Sequence, residues 1–423
     1  MTVEMDKTAG SGSGGFAADD QRTNTMGSAL TAYVNRLRGG DMGSLPAILG
    51  LVMLYVVFGL ASDSFLSLLN QANLVTQAGS ICVLAMGLVF VLLLGEIDLS
   101  AGFTGGVSAA FTSLAIVDHG QSWWVAVLVG MVVGCAIGFV IGLLVAYLGV
   151  PSFVVSLAFF LALQGVSLKL IGAGGSVPVR DEVIRGLAIK NVPPVAGWIG
   201  AVVVVAIFAG LSLMRHRTQT AQDLQRPPFS LVLVRIAAFA VIALGLVALL
   251  NRNRSLNPNF PIQGIPWVLP VVVVLLLLWT FVLGRTAYGR HLYAVGGNAE
   301  AARRAGVDVR RMKVSAFMIC STMAAISGVL AASYSGKVSP SSGGGNVLLY
   351  AVGAAVIGGT SLFGGRGRAL DAVIGGVVIA TIANGLGLLN QASYINYLVT
   401  GGVLLLAASV DAISRRRRSA AGV

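Results

Sequence analysis

Long apolar runs dominate the chain, and polar residues are confined mainly to the short segments between them. A helix that crosses a bilayer needs about 20 predominantly apolar residues. Most of the runs reach or approach that length, so the pattern predicts membrane-spanning helices rather than amphipathic helices on a soluble core. Twelve runs are candidates: 45–61, 73–94, 101–117, 122–148, 151–171, 195–214, 231–250, 267–284, 313–334, 347–361, 369–388 and 394–413.

The sequence does not decide how two of these runs pass through the membrane. The run at 347–361 is short, and the run at 101–117 has weak boundaries. Non-helical backbone is tolerated at membrane depth where protein buries it, so either run can span or re-enter. Glycine-rich stretches at 342–345 and 358–365 predict breaks in helix. The predicted fold is therefore all-α: a polytopic transmembrane helix bundle of about 12 spans.

The composition excludes several classes of protein. Charged residues make up 10% of the chain, whereas a soluble domain has about 25%. The net charge of +12 does not indicate nucleic acid as a partner, because the basic residues lie between apolar runs rather than on one face of a soluble domain. The three cysteines lie inside apolar runs without a CxxC pair, which indicates small buried side chains rather than a disulfide or metal site.

Lysine and arginine set the expected orientation. With twelve spans and an inner N-terminus, most basic residues fall on the inner side, including four consecutive arginines at 415–418. Both termini are therefore predicted to be cytoplasmic. The polar tail at 1–43 lacks the pattern of a secretory signal and is predicted to be disordered. The transmembrane domain then covers 44–414, and a basic cytoplasmic tail covers 415–423.

One apolar run carries a regular stripe of glycines. Small residues at every fourth position lie on one face of a helix and let a neighbouring backbone approach closely in lipid. The stripe predicts packing against another helix of the bundle or against a second subunit. Its members are Gly130, Gly134, Gly138 and Gly142.

The inner loop at 285–312 encodes a short helix. Asn298 suits the N-cap position, Glu300 falls in the first turn, and Gly306 suits the position just after the C-cap. These signals predict a helix at about 299–305, with Asp308 starting the next one. The helix is either an element that docks a soluble partner or an ordinary connector whose arginines follow the positive-inside rule.

This loop carries the first motif of a family resemblance. It reads Gly289-Arg290-x-x-Tyr293-Ala294-x-Gly296-Gly297-Asn298-x-Glu300-Ala301-Ala302-Arg303. The motif resembles the coupling loop of permeases in the monosaccharide branch of bacterial ABC importers, of which the ribose and xylose permeases are type members. Three further segments agree in order: Gly95-Glu-Ile-Asp98-Leu-Ser-Ala-Gly102, Pro151-Ser-Phe-Val-Val-Ser-Leu157, and a C-terminal block from Ile357 that includes Asn384-Gly-Leu386.

The resemblance implies a transport subunit of the bacterial inner membrane rather than an enzyme. It implies a second copy of the permease, a separate ATPase that binds ATP and Mg, an extracytoplasmic sugar-binding protein and surrounding membrane lipid, with no cofactor on this chain. An inserted helix pair at about 195–262, added to a family core of ten spans, favours the longer xylose-type permeases. The residues implied in ATPase coupling are Gly289, Arg290, Gly297, Asn298, Glu300, Ala301, Ala302, Arg303 and Gly306.

A sugar path requires polar side chains within the spans. Glu96 and Asp98 follow a long apolar run, where they either face the path at a helix break or cap the helix that follows. Glu96 stands where many relatives carry Gly. Taken singly, each of the other polar residues also suits hydrogen bonding between helices. The candidates are Asn73, Gln77, Ser80, Glu96, Asp98, Ser156, Phe159, Phe160, Gln164, Thr381, Asn384 and Gln391.

Alternatives of other classes stay open. No Gly-x-x-x-x-Gly-Lys-Ser/Thr loop occurs in the chain, so ATP hydrolysis requires a partner chain. An ion-coupled secondary sugar carrier would hold its own ion site, and a branched-chain amino-acid-type ABC permease would share similar motifs. A membrane enzyme is disfavoured because His119, His216 and His291 fall in separate segments.

Overall fold

The computed structural model describes residue 27 and residues 43–420, except 223–227, 256 and 258. The predicted tail at 1–43 lies almost wholly outside these residues, as do residues 421–423. Each of the twelve apolar runs lies within one helix, apart from a few residues at its ends, so the prediction of a polytopic helix bundle is confirmed. The helices are α1 (Leu45–Ala61), α2 (Leu68–Leu93), α3 (Ala101–Val117), α4 (Trp123–Ala146), α5 (Ser152–Ile171), α6 (Glu182–Ile189), α7 (Pro194–Ala221), α8 (Phe229–Leu250), α9 (Val268–Arg285), α10 (Ala287–Gly297), α11 (Ala299–Arg304), α12 (Val309–Ser335), α13 (Val347–Gly358), α14 (Ala369–Leu388) and α15 (Ser393–Ala420).

The helices differ in their capacity to cross a membrane. Within the described residues, eight helices are long and apolar enough to do so: α2, α4, α5, α7, α8, α9, α12 and α14. Helices α1, α3 and α13 are apolar but shorter. With a rise of about 1.5 Å per residue, the 12 residues of α13 cover about 18 Å of a hydrocarbon core about 30 Å thick. Helix α13 alone is therefore too short to cross that core.

Two broken segments meet inside the bundle. After α2 the chain turns at Gly95, and Asp98 and Ser100 are already buried before α3 begins. Non-helical backbone at 339–346 precedes α13 on the other side. The two backbones touch: a Cβ atom added to Gly102 would lie 2.3 Å from the carbonyl oxygen of Gly343. Asp98, Ser100 and Gly344 within these breaks are buried by protein, which is the condition under which a membrane protein tolerates non-helical backbone.

The glycine stripe of α4 is buried against α12 and α3. A Cβ atom on Gly134 would lie 2.7 Å from the carbonyl oxygen of Ser321, and one on Gly138 would lie 2.4 Å from that of Phe317. Gly142 packs in the same way on Val314, and Gly130 packs on α3. The stripe thus brings two helix backbones of this chain together, which increases their dispersion contacts.

We expect Gly134→Leu to destabilise the protein by about 1–3 kcal/mol, because the added side chain has no space between α4 and α12. The measurement is thermal unfolding of the detergent-purified chain, followed by fluorescence. Gly200→Leu on α7 is the matched control, since nothing lies within 4 Å of its added Cβ atom. Equal melting temperatures for the two variants would contradict the close packing.

Short strands define one end of the bundle. Strand β1 (Val177–Pro178) pairs with β4 (Lys337–Val338), and β2 (Asn191–Val192) pairs with β3 (Ile265–Pro266). This strand end gathers the loops after α5, α8 and α12, together with α6. Helices α9 and α12 run from it to the opposite end, which carries α10 and α11 and is called the coupling end below. Helices α7 and α8, which the sequence predicts to be an inserted pair, are mostly exposed and pack mainly on each other.

Candidate functional site

A cavity of about 430 Å³ lies in the bundle between α2, α3, α12 and the segment at 338–350. Its volume falls in the usual range of about 300–1,000 Å³ for small-molecule pockets. The walls are mostly glycine, alanine and aliphatic side chains, with no charged side chain among the described residues that line it. The cavity reaches β4 at the strand end. Its polar lining residues are Gln77, Ser80, Ser327, Ser335, Ser339, Ser341, Ser342 and Tyr350.

Glycine backbone forms much of the cavity wall. A Cβ atom on Gly106 would lie 1.9 Å from the carbonyl oxygen of Ser342, and one on Gly328 would lie 2.0 Å from that of Gly105. Helix α3 therefore contacts both α12 and the segment before α13 through main-chain atoms. Because close-packed backbone cannot adapt as a side chain can, the shape of this wall is sensitive to any added atom.

An amide cluster holds the polar side chain of Gln77. Its Nε2 donates to the Tyr334 hydroxyl at 3.1 Å, and its Oε1 accepts from Asn384 Nδ2 at 3.4 Å. Asn384 and Asn70 exchange two further hydrogen bonds of 2.9 and 3.0 Å between α14 and α2. Asn384 does not line the cavity. It contacts the lining only through its hydrogen bond to Gln77 among the bonds described for it.

The acidic residues lie at the break between α2 and α3. Asp98 Oδ1 accepts from the backbone N–H of Ser100 at 2.9 Å and from its hydroxyl at 2.6 Å, and the carboxylate also interacts with the Cys320 thiol of α12 and the N–H of Ala101. Ser156 Oγ donates to the carbonyl of Ile97 at 3.2 Å. Glu96 pairs with Lys313 of α12 at 2.5 Å. Asp98 thus stabilises the turn into α3, and neither acid is part of the cavity lining.

The remaining candidates from the sequence lie elsewhere. Asn73, Gln164 and Gln391 are exposed, Phe159 and Phe160 are half-buried, and Thr381 is buried and bonds within its own helix. Gln77 and Ser80 alone among the sequence candidates line the cavity, and the other serines and Tyr350 were missed. The glycine-rich stretch at 342–345 predicted a break in helix, but it did not indicate that the hydroxyls of Ser339, Ser341 and Ser342 face a cavity.

Helix α11 has the predicted caps. Asn298 Oδ1 accepts from the N–H of Ala301 at 3.0 Å, and Gly306 has a φ of +85°. Asp308 then caps α12 by accepting from the N–H of Arg311. The predicted start and end of this helix are confirmed. The sequence did not predict α10, whose start is capped by the Thr286 hydroxyl, which accepts from the Gly289 N–H.

Helix α11 has a charged outer face and an apolar inner face. Glu300 pairs with Arg303 at 2.9 Å and with Arg304 at 3.1 Å. The hydrogen bonds that these two arginines donate hold the pKa of the Glu300 carboxyl below its usual range. Ala302 is buried with Val295 and Met312. Of the implied coupling residues, Gly289 and Ala302 are buried, whereas Arg290, Gly297, Asn298, Glu300, Ala301, Arg303 and Gly306 are exposed.

Helix α10 joins α11 to the rest of the coupling end. A Cβ atom on Gly296 would lie 1.8 Å from the carbonyl oxygen of Leu93, which accepts a hydrogen bond of 2.8 Å from the N–H of Gly365. The Tyr293 hydroxyl donates to the carbonyl of Gly367 at 2.7 Å. The end of α2 and the loop between α13 and α14 therefore meet at α10. In the part of the chain that the structure describes, no group of three or more His, Cys, Asp or Glu forms a metal site.

Comparisons with known proteins identify the family of the chain. Residues 70–408 match the family described as branched-chain amino acid transport system / permease component. The chain is 35% identical over 372 residues to the xylose transport system permease protein of Escherichia coli K12, which covers 88% of this chain and 92% of that protein. It is 30% identical over 381 residues to the ribose import permease protein of Bacillus subtilis 168, and the alignment covers 90% of this chain and 95% of that protein.

The xylose transport system permease protein of Haemophilus influenzae is 34% identical over 371 residues, which covers 88% of this chain and 96% of that protein. No solved structure matches the chain. The resemblance stated from the four motifs is confirmed. The chain belongs to the branched-chain amino acid transport system / permease component family, and it is a multi-pass permease component of the inner membrane.

Proposed function

We propose that the chain is the permease subunit of an ATP-driven importer that moves a monosaccharide, xylose or a similar pentose or hexose, by alternating access. The observation that carries this proposal is the cavity, whose polar groups are serine and tyrosine hydroxyls and one amide. Hydroxyl groups both donate and accept hydrogen bonds, as the hydroxyls of a sugar do. The similar xylose and ribose permeases support the same substrate class by their names.

The cavity favours a sugar over a branched-chain amino acid. A free amino acid carries an ammonium and a carboxylate group, and moving either out of water without a charged or strongly polar partner is costly. The described lining has no charged side chain to compensate them. The ion-coupled alternative is also less favoured, because Glu96 is paired with Lys313 and Asp98 caps the start of α3.

The two ends of the bundle suggest how the assembly is arranged. The coupling end would face the cytoplasm, with α11 docked on a separate ATPase that holds ATP and Mg. The strand end would face outward and receive the sugar-binding protein, and two copies of the permease would form the translocation unit. Twelve segments would then cross the membrane with both termini inside, and lipid would cover the exposed apolar faces of α7 and α8.

The test is transport by the complete assembly in proteoliposomes. The chain is purified together with its ATPase and binding-protein partners, and uptake of radiolabelled xylose, ribose and leucine is measured. We expect ATP-dependent uptake of one sugar and none of leucine. Leucine uptake would overturn the substrate class, and sugar uptake by this chain alone under an ion gradient would overturn ATP coupling.

A further inference from the structure

An ion pair at the coupling end joins two elements that lead to the cavity. Glu96 Oε1 and Lys313 Nζ are 2.5 Å apart, and their side chains are only 15% and 26% exposed. Lys313 lies in the first turns of α12, just beyond the connection from α11. Glu96 lies in the turn that leaves α2 and enters α3. The pair thus connects the start of α12 with the segment that carries α3.

Hydrogen bonds hold the segment from Glu96 to α3 in place. The Ile97 N–H donates to Ser152 Oγ at 3.2 Å. Asp98 Oδ1 accepts hydrogen bonds from both the N–H and the hydroxyl of Ser100. Helix α3 begins at Ala101, which lines the cavity together with Gly102. Residues 97–100 alone therefore separate Glu96 of the ion pair from the cavity wall at Ala101.

Helix α3 packs directly on α12 beside the cavity, where the backbones of Gly105 and Gly328 meet, and the ion pair adds a second connection between the two helices nearer to α11. Ala324 and Ser327 of α12 line the cavity directly, and α12 is continuous with the connection to α11. Helix α3 has no such covalent link to α11, so a displacement of α11 reaches it only through non-covalent contacts. A largely buried ion pair resists separation more than an exposed one, because the surrounding dielectric is low and each charge would be left unpaired.

We propose that the Glu96–Lys313 ion pair is a positioning element that makes α3 move with α12 when α11 is displaced. The inference rests on the proposed function, since it assigns the pair a role in coupling ATP hydrolysis to the cavity. Its consequence is that both facing walls of the cavity respond to the ATPase together. Neither residue contacts the transported molecule in this arrangement, because neither belongs to the described cavity lining.

The first experiment needs no partner protein. Hydrogen–deuterium exchange of residues 97–106 is measured in the full chain in nanodiscs for wild type, Glu96→Gln, Lys313→Gln and the exchanged pair Glu96→Lys/Lys313→Glu. We expect about tenfold faster exchange in each single variant and recovery in the exchanged pair. Arg311→Gln is the matched control, because the Arg311–Asp308 pair on the same helix is 83% and 50% exposed and should matter little.

The second experiment uses the assembled importer and measures how strongly the sugar-loaded binding protein stimulates ATP hydrolysis. We expect both single variants to lose at least about four-fifths of the stimulation, the exchanged pair to regain it, and Arg311→Gln to match wild type. Unchanged exchange, or changed exchange with intact stimulation, would overturn the inference while the proposed function stands. A wild-type assembly that no sugar stimulates would overturn the proposed function itself and the coupling role with it.

Discussion

A chain that carries Gly306→Pro together with Arg303→Glu should insert into the membrane normally and lose at least about nine-tenths of its ATP-driven uptake. Gly306 has a φ of +85°, whereas proline is fixed near −65°. The substitution therefore destroys the end of α11. Glutamate at position 303 replaces an attraction to Glu300 by a repulsion. Both residues are exposed, so the buried helices that hold the bundle are untouched.

The measurement is uptake by proteoliposomes that contain equal amounts of each variant. Gly306→Asn is the matched control, because asparagine tolerates the left-handed backbone conformation that this position requires. We expect this control to retain most of the uptake. Normal uptake by the double variant, with its incorporation verified, would contradict the proposal that α11 docks on the ATPase.

Helix α11 could be predicted because its signals are local. Asn298, Glu300 and Gly306 fall within one short segment, and each acts on the backbone next to it. Helix α10 could not be predicted, since Gly289, Gly296 and Gly297 weaken the helical pattern. Two of these glycines are required by packing: Gly289 lies on the carbonyl of Leu283, and Gly296 lies on that of Leu93. Such contacts depend on tertiary structure that no local pattern encodes.

The cavity was predictable only in part for a related reason. The apolar helices carry hydrophobic residues on every side, so periodicity does not reveal which face turns inward. Asn73 and Gln77 lie one turn apart on α2, yet the first is exposed and the second lines the cavity. The Glu96–Lys313 pair joins distant parts of the chain, and only the folded bundle brings its charges together.

The largest effect on the cavity should come from Gly106→Val, which we expect to lower uptake at least about tenfold without preventing insertion. The first added carbon would fall 1.9 Å from the carbonyl oxygen of Ser342. Since that contact is with backbone, α3 and the segment before α13 must separate, and overpacking of this kind costs about 1–3 kcal/mol. Both Gly106 and Ser342 line the cavity, so its shape changes with them.

The control for this variant is Gly165→Val on α5, an exposed glycine with nothing within 4 Å of its added Cβ atom. Uptake and thermal unfolding are measured for both variants beside wild type. A Gly106→Val protein that melts a few degrees lower and fails to transport, while Gly165→Val transports normally, places the transport path between α3 and the 339–346 segment. Normal uptake by Gly106→Val would instead mean that the sugar passes outside this cavity, because a change in the cavity wall would then leave transport intact.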